Sequence, residues 1–306
     1  IKDYQKYLKK KYKKILSRKE IKTLKKISFA IDFSSGVSSL ANKEVLKNIG
    51  LNFTDLNSNP DGNFPNHTPD PTSATKFLQK RHLTKNFFTA VFDGDGDRIL
   101  FYDKNNIQIL NDYTICSYID FFSKKLNHFA IDLTVSKAVD LIAKQNKVKI
   151  TRIKVGRSHY HSFMEKIKCG FGAEKSGHLF FKEFNYLDNP DIGLIYMLKI
   201  VAQNLIKDEN IQFSQIFSKY KYFAKGKDLT LEVQNPNFIL KDIEKKYESK
   251  ISSKLDGISL DFGNFWCVIR KSNTEPIIRI VSEGKTKEIV DTELKKLKLY
   301  INSLNK

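Results

Sequence analysis

The chain has 306 residues, of which 41% are hydrophobic and 23 are phenylalanine, and its 53 basic and 34 acidic side chains leave a net charge of +19. That length and apolar content support two or three packed domains of about 100–150 residues and exclude wholesale disorder. No apolar run reaches the roughly 18 residues of a membrane-spanning helix, and three scattered cysteines (Cys116, Cys169, Cys267) exclude a disulfide framework or a Cys/His zinc site.

The N-terminal stretch from Ile1 to Lys26 is too rich in lysine for a signal peptide. Its apolar residues Tyr4, Leu8, Tyr12, Ile15 and Leu16 recur at helical spacing, so the lysines are expected to form the solvated face of an amphipathic helix. Only seven of the basic residues are arginine, and the lysines are spread over the whole chain. This is general composition, not the arginine-and-aromatic face of a nucleic-acid binder, and no specific nucleic-acid partner is expected.

Phe29-Ala30-Ile31-Asp32 recurs about 100 residues later as Phe129-Ala130-Ile131-Asp132, a spacing long enough for one supersecondary unit per copy. Each copy ends an apolar strand, meets Ser or Thr, and continues into a helical pattern and a second strand (Leu51 to Leu56; Val148 to Ile153). This predicts two related β–α–β domains with mixed or mostly parallel sheets. Each copy also leads to a polar loop after an apolar stretch. Phe87 to Phe92 runs into Asp93-Gly94-Asp95-Gly96-Asp97-Arg98, and the stretch around Cys169 runs into Gly172-Ala173-Glu174-Lys175-Ser176-Gly177-His178. Open α/β sheets place ligands at such loops. The proline-rich segment Asn59 to Pro71 is an ordered loop within the first domain. From about residue 218 the pattern changes. Strands are predicted at Lys227–Val233, Phe265–Arg270 and Ile277–Val281, with helices at Asp242–Lys250 and Lys287–Leu304, giving a C-terminal α+β domain. The predicted domains are 1–107, 108–217 and 218–306.

Asp93, Asp95 and Asp97 present three carboxylates at alternate positions, a like-charge cluster that a hard divalent cation would stabilise. An EF-hand does not fit, because from Asp93 the turn glycine falls on Arg98 and the bidentate glutamate on Lys104. Magnesium is the favoured ion, with Arg98 beside it for an anionic substrate; an acidic turn is the plain alternative. Glu174, Ser176 and His178, also spaced by two, would point to one side of an extended loop and suit sugar hydroxyls, although an ordinary glycine-bounded turn reads the same. Arg270-Lys271-Ser272-Asn273-Thr274-Glu275-Pro276 joins two strands and is either a phosphate clamp or a polar hairpin turn.

Together and in order, these loops resemble the α-D-phosphohexomutase superfamily. The segment Pro60-Asp61-Gly62-Asn63-Phe64-Pro65-Asn66-His67-Thr68-Pro69-Asp70-Pro71, with Asn273, is similar to the phosphomannomutase/phosphoglucomutase branch. The resemblance covers essentially the whole chain, as domains two, three and four of that four-domain family. It implies Mg²⁺ on Asp93, Asp95 and Asp97, with Arg98 as the catalytic residue beside a phosphoserine. Glu174, Ser176 and His178 would then bind the sugar, and Arg270, Ser272, Asn273 and Thr274 the non-reacting phosphate. The implied reaction interconverts hexose 6-phosphate and hexose 1-phosphate, of mannose or glucose, through a bisphosphate intermediate. A phosphoglucosamine mutase-type enzyme or a non-catalytic phosphosugar-binding paralogue is the alternative. The family's serine domain has no counterpart here, so the chain is expected to be a fragment that binds without turning over. Three positions depart from the family pattern: Thr134 stands where Lys is common, Arg157 where His is common, and Lys175 where Met or Gln is often seen. A cytoplasmic protein without membrane association, monomeric or dimeric, is expected.

Overall fold

The computed structural model describes residues 1–81, 83, 85–272 and 275–305. By contact density the chain divides into two compact units. One contains Ile1–Ala130, Val139–Thr151 and Arg157–Tyr220; the other contains Ile131–Ala138, Arg152–Gly156 and Lys221–Lys306.

In the first unit, α1 (Lys2–Ile15) buries Leu8, Tyr12 and Ile15 and leaves most of its lysines outward, as the spacing predicts, with Lys11 half-buried against Glu183. The amphipathic pattern breaks at Ser17, whose hydroxyl accepts from the Glu20 amide while the Glu20 carboxylate accepts from the Ser17 amide. This reciprocal capping box starts α2 (Arg18–Leu24) as a new helix. The first repeat follows as β1 (Phe29–Asp32), α3 (Ser39–Ile49), β2 (Phe53–Leu56), α4 (Ala74–Gln79), β3 (Phe88–Phe92), β4 (Ile99–Asp103) and α5 (Asn111–Phe122). Its sheet has the order β2-β1-β3-β4, with β1 parallel to both β2 and β3, and β4 antiparallel to β3.

The second repeat begins with β5 (His128–Asp132), α6 (Ala138–Asn146) and β6 (Lys149–Ile153). It continues through α7 (Tyr160–Lys166), β7 (Phe171–Ala173), β8 (Leu179–Phe181), β9 (Leu187–Asp188) and α8 (Pro190–Lys207). Its sheet order, β6-β5-β7-β8-β9, repeats the first with one edge strand added. The duplication extends to side-chain detail: Asp32 Oδ1 accepts from the Ser34 amide at 2.9 Å, and Asp132 Oδ1 from the Thr134 amide at 2.6 Å. The same Asx turn therefore bends the chain away from the end of both founding strands. Helix α8 is apolar on nearly every side, from Ile192 to Leu205, because it is buried; Asn189 caps it and Pro190 occupies its first turn.

In the second unit, β10 (Ala224–Lys225), β11 (Leu229–Glu232), α9 (Pro236–Lys246), β12 (Ile251–Ser253), β13 (Ile258–Asp261), β14 (Phe265–Lys271), β15 (Ile277–Gly284) and α10 (Lys287–Leu304) make an antiparallel sheet covered by helices. Ile239 and Ile243 of α9, with Val290, Leu294, Leu297 and Ile301 of α10, join the strand residues Cys267, Ile269, Ile278 and Ile280 in one core. The helix expected at Asp242–Lys250 begins six residues earlier and ends at Lys246. The Asn235 side chain accepts from the Phe238 amide and Pro236 fills the first helical position, a start signal that outweighs the polar look of Asn-Pro-Asn. Strand β11 is shorter than predicted, and β12 and β13 were not anticipated, being short and rich in serine. Among the described residues, no helix is long and apolar enough to cross a membrane.

Candidate functional site

The aspartate loop is the tip of the β3–β4 hairpin. Asp93, fully buried at the end of β3, accepts at Oδ1 from the amides of Asp97 (2.9 Å) and Arg98 (3.0 Å), so its carboxylate organises the loop that carries the other two. Gly96 adopts the left-handed conformation at φ +73°, which an L side chain rarely takes up. At Gly94 the limit is space: a Cβ there would lie 2.7 Å from Pro69 and 2.9 Å from Phe64, so the proline-rich segment is packed directly on the loop. Oxygens of Asp93, Asp95 and Asp97 lie within 4.8 Å of one another, with Asp95 exposed and Asp97 half-buried.

Such crowding has an electrostatic cost. Burial, and then the neighbouring Asp97, push the Asp93 carboxyl above its ordinary range, although Arg98 and its amide pull the other way. Arg98 answers part of it: its Nε donates to Asp93 Oδ2 at 2.6 Å and its Nη1 to Asp70 Oδ2 at 3.2 Å. The Arg157 guanidinium supplies more, pairing with Asp97 Oδ2 and lying 3.7 Å from Asp188. Three hard oxygen donors in this spacing fit a divalent cation such as Mg²⁺, which would complete the neutralisation these cations begin.

The Glu174–His178 segment is a tight hairpin turn between β7 and β8, the glycine-bounded one of the two readings its sequence allows. Glu174 donates its amide to the His178 carbonyl at 3.0 Å, and Gly177 donates to the Glu174 carbonyl at 3.1 Å. Gly172 and Ala173 belong to β7. The turn still converges the three side chains. Ser176 Oγ donates to Glu174 Oε2 at 3.0 Å, and His178 Nε2 lies 3.9 Å from the same carboxylate. His178 Nδ1 meets Asp188 Oδ2 at 2.9 Å. Burial alone would lower the His178 pKa, but the Asp188 hydrogen bond and the charges of Asp97, Glu174 and Asp188 outweigh it and raise it.

The two hairpin tips are stitched together. Arg98 and His178 form an antiparallel β-bridge, and the Ile99 amide donates to the Gly177 carbonyl at 3.2 Å. Asn111, at the start of α5, donates from Nδ2 to the carbonyls of both Glu174 and Lys175 at 3.0 Å. Asp97, His178 and Asp188 form a second tight group of potential ligands, but Arg157 is paired among them, so they form a hydrogen-bonded ion network. Asp70, Asn111, Arg157 (as a partner of Asp97) and Asp188 were not singled out in the sequence. Only Asp70, inside the proline-rich motif, left a signal there.

The third predicted loop belongs to the other unit. Arg270 near the end of β14 pairs through Nη2 with Asp256 at 2.9 Å, and its buried Nε has no hydrogen-bond partner among the described residues. The Ser272 amide donates to the Ile277 carbonyl at 3.0 Å. Asn273 and Thr274 lie outside the described residues. Thr134, another departure from the family pattern, is buried in the Asx turn on Asp132.

Models of phosphoglucomutase/phosphomannomutase α/β/α domain II, α/β/α domain III and the C-terminal domain match residues 2–106, 111–221 and 230–298. A phosphomannomutase of Methanocaldococcus jannaschii is 31% identical over 301 residues, covering 96% of this chain and 65% of that protein. A probable phosphoglucosamine mutase of Methanosphaera stadtmanae is 27% identical, covering 95% and 64%. The chain thus spans less than two thirds of the length of these relatives. A phosphoglucomutase/phosphomannomutase family protein from Burkholderia thailandensis superposes with a TM-score of 0.79 at 20% identity, over 90% of this chain and 60% of that one. An Aspergillus fumigatus N-acetylphosphoglucosamine mutase in complex with GlcNAc-6P and magnesium superposes at 0.69 and 16% identity, over 99% and 70%. With all three domain models matched in order along the sequence, the chain belongs to the phosphoglucomutase/phosphomannomutase family.

Proposed function

We propose that this chain provides the metal-, sugar- and phosphate-binding parts of a magnesium-dependent phosphohexomutase that interconverts hexose 6-phosphate and hexose 1-phosphate, with mannose and glucose phosphates as substrates. The observation that carries the proposal is the bridge between Arg98 and His178, which joins a three-carboxylate loop to a Glu-Ser-His turn in one compact unit. In this reading residues 1–107, 108–217 and 218–306 act as three domains.

Asp93, Asp95 and Asp97 hold the ion, which when bound neutralises charge on a phosphoryl group. Arg98, fixed between Asp93 and Asp70, presents a guanidinium to the same group without reorganising. The buried Glu174 carboxylate accepts from neighbouring sugar hydroxyls, and the exposed Ser176 hydroxyl gives up its bond to Glu174 to join them. Arg270 Nε, a buried donor whose unmet hydrogen bond is worth about 1–3 kcal/mol, is the natural seat for a distal phosphate oxygen, with Ser272, Asn273 and Thr274 as further donors.

Calorimetric titration of the folded chain tests this. Mg²⁺ or Mn²⁺ is expected to bind, and to lose affinity in Asp95→Asn/Asp97→Asn. Glucose and mannose 1-phosphates are expected to bind with an affinity that Arg270→Gln weakens. Tighter binding of glucosamine phosphate would reassign the substrate. Absence of both metal and hexose-phosphate binding would remove the proposal.

A further inference from the structure

A cavity of about 790 Å³ opens in the first unit, and its lining includes no residue of the aspartate loop or the Glu174–His178 turn. Its wall is aromatic. Phe122 and Tyr196 meet edge to face at 4.7 Å between centroids, Phe121 packs on Phe122 at 5.2 Å, and Phe181 stacks on Tyr196 at 5.8 Å. Its rim is cationic: five of the fourteen lining residues are lysine, a far higher share than in the chain as a whole.

The charges at this rim are not balanced. Lys199 is committed to the Ile15 carbonyl and Glu20, and the one lining carboxylate, Glu183, is taken by Lys11 and by the Tyr196 hydroxyl. Lys14, Lys124, Lys125 and Lys182 are exposed and have no acidic partner among the described residues. The site therefore combines apolar aromatic surface with up to four uncompensated ammonium groups, within the size range of small-molecule pockets. Lysines are mobile point charges, suited to several phosphate oxygens more than to one planar carboxylate. Aromatic faces and edges receive a planar heterocycle. We infer that this cavity binds a nucleotide, with its base against Phe121, Phe122 and Tyr196 and its phosphates among Lys14, Lys124, Lys125 and Lys182. The site is independent of the metal and sugar-phosphate chemistry proposed above.

Isothermal titration of the full chain with ATP, in EDTA to keep the aspartate loop out of the measurement, tests the inference. ATP is expected to bind saturably, with adenosine and inorganic pyrophosphate each at least about tenfold weaker, because each engages only half of the site. Lys124→Glu/Lys125→Glu should weaken ATP roughly tenfold or more. Lys9→Glu/Lys10→Glu, the same charge change on exposed residues outside the cavity, should leave it nearly unchanged. Phe121→Ala should reduce the affinity for ATP but not for pyrophosphate, and glucose 1,6-bisphosphate should not compete. No ATP binding, equal binding of pyrophosphate, equal effects of the two lysine pairs, or preference for a long-chain fatty acid would each overturn the assignment.

Discussion

The two hairpin tips occupy equivalent places in a duplicated sheet, one between β3 and β4 and the other between β7 and β8, yet they are held in opposite ways. The Asp93–Arg98 tip gathers like charges and depends on partners from afar, with Asp70 anchoring Arg98 across 28 residues and Arg157 reaching Asp97 across 60. The Glu174–His178 tip is closed largely by its own paired backbone bonds and by a serine that satisfies its own glutamate, with neutral Asn111 bracing two of its carbonyls and Asp188 its histidine. One scaffold thus carries a loop braced by distant charged groups and a loop closed mainly by local bonds, and the duplicated backbone sets their positions without setting their charge.

The largest expected effect comes from breaking the first tip at its centre. Asp93→Ala removes the acceptor for the Asp97 and Arg98 amides and for the Arg98 guanidinium, and leaving these donors unmet should cost about 3–5 kcal/mol. Glu174→Gln keeps an acceptor for Ser176 and should cost about 1 kcal/mol. Urea midpoints of the two variants measure the difference, and equal losses would refute the contrast.

The next effect concerns how the repeats are joined. Asp191, at the start of α8 in the second repeat, accepts from Asn42 of α3 in the first and from the Tyr4 hydroxyl at 2.6 Å. Burial pushes its carboxyl from 3.8 up to about 6, against the pull of both hydrogen bonds. The folded value lies above the unfolded one, so this group's contribution is complete below about pH 4 and is lost as the pH rises through about 6. A shift of roughly two units corresponds to about 3 kcal/mol. Urea unfolding from pH 4 to 7.5 should show this loss in the wild type, and Asp191→Asn should flatten it. An unchanged slope in the variant would assign the pH dependence to other groups.

The asymmetry of the tips also explains what could be read in the sequence. The duplication was visible because Phe-Ala-Ile-Asp recurs with its turn residues, and local chemistry set both strands. The aspartate and Glu-Ser-His clusters were visible as patterns at alternate positions. The guards of the first tip were not. Arg157 and Asp188 lie on different segments, are polar and partly exposed, and owe their role to tertiary contact alone. At Glu174 the alternation allows either an extended run or a glycine-bounded turn, and Gly177, at φ +111°, decides for the turn by folding the chain back. The start of α9 lies six residues before the expected Asp242 because the Asn235 cap and Pro236, and not the apolar spacing, set it.

If Arg157 is a counter-ion for the first tip, it competes with the metal. Arg157→Gln should raise Mn²⁺ affinity roughly three- to tenfold, which is about 1 kcal/mol for removing one largely exposed charge from the site. Electron paramagnetic resonance titration at fixed ionic strength reads this directly. A lower affinity in the variant would mean that Arg157 orders the carboxylates more than it neutralises them. No detectable metal binding in either protein would instead count against the metal site itself.

The smallest effect tests the second tip's independence. Ser176 is exposed, and its hydroxyl donates one bond to Glu174, whose carboxylate also faces His178. Ser176→Ala should therefore cost at most about 1 kcal/mol in stability and leave Mn²⁺ affinity unchanged, because none of the three carboxylates of the first tip touches the serine. Its cost should appear in hexose-phosphate binding, where the hydroxyl has a second partner to satisfy. A fall in metal affinity of the size seen for an aspartate variant would show that the bridge at Arg98 and His178 transmits side-chain changes between the tips. The second hairpin would then depend on its neighbour as much as the first does.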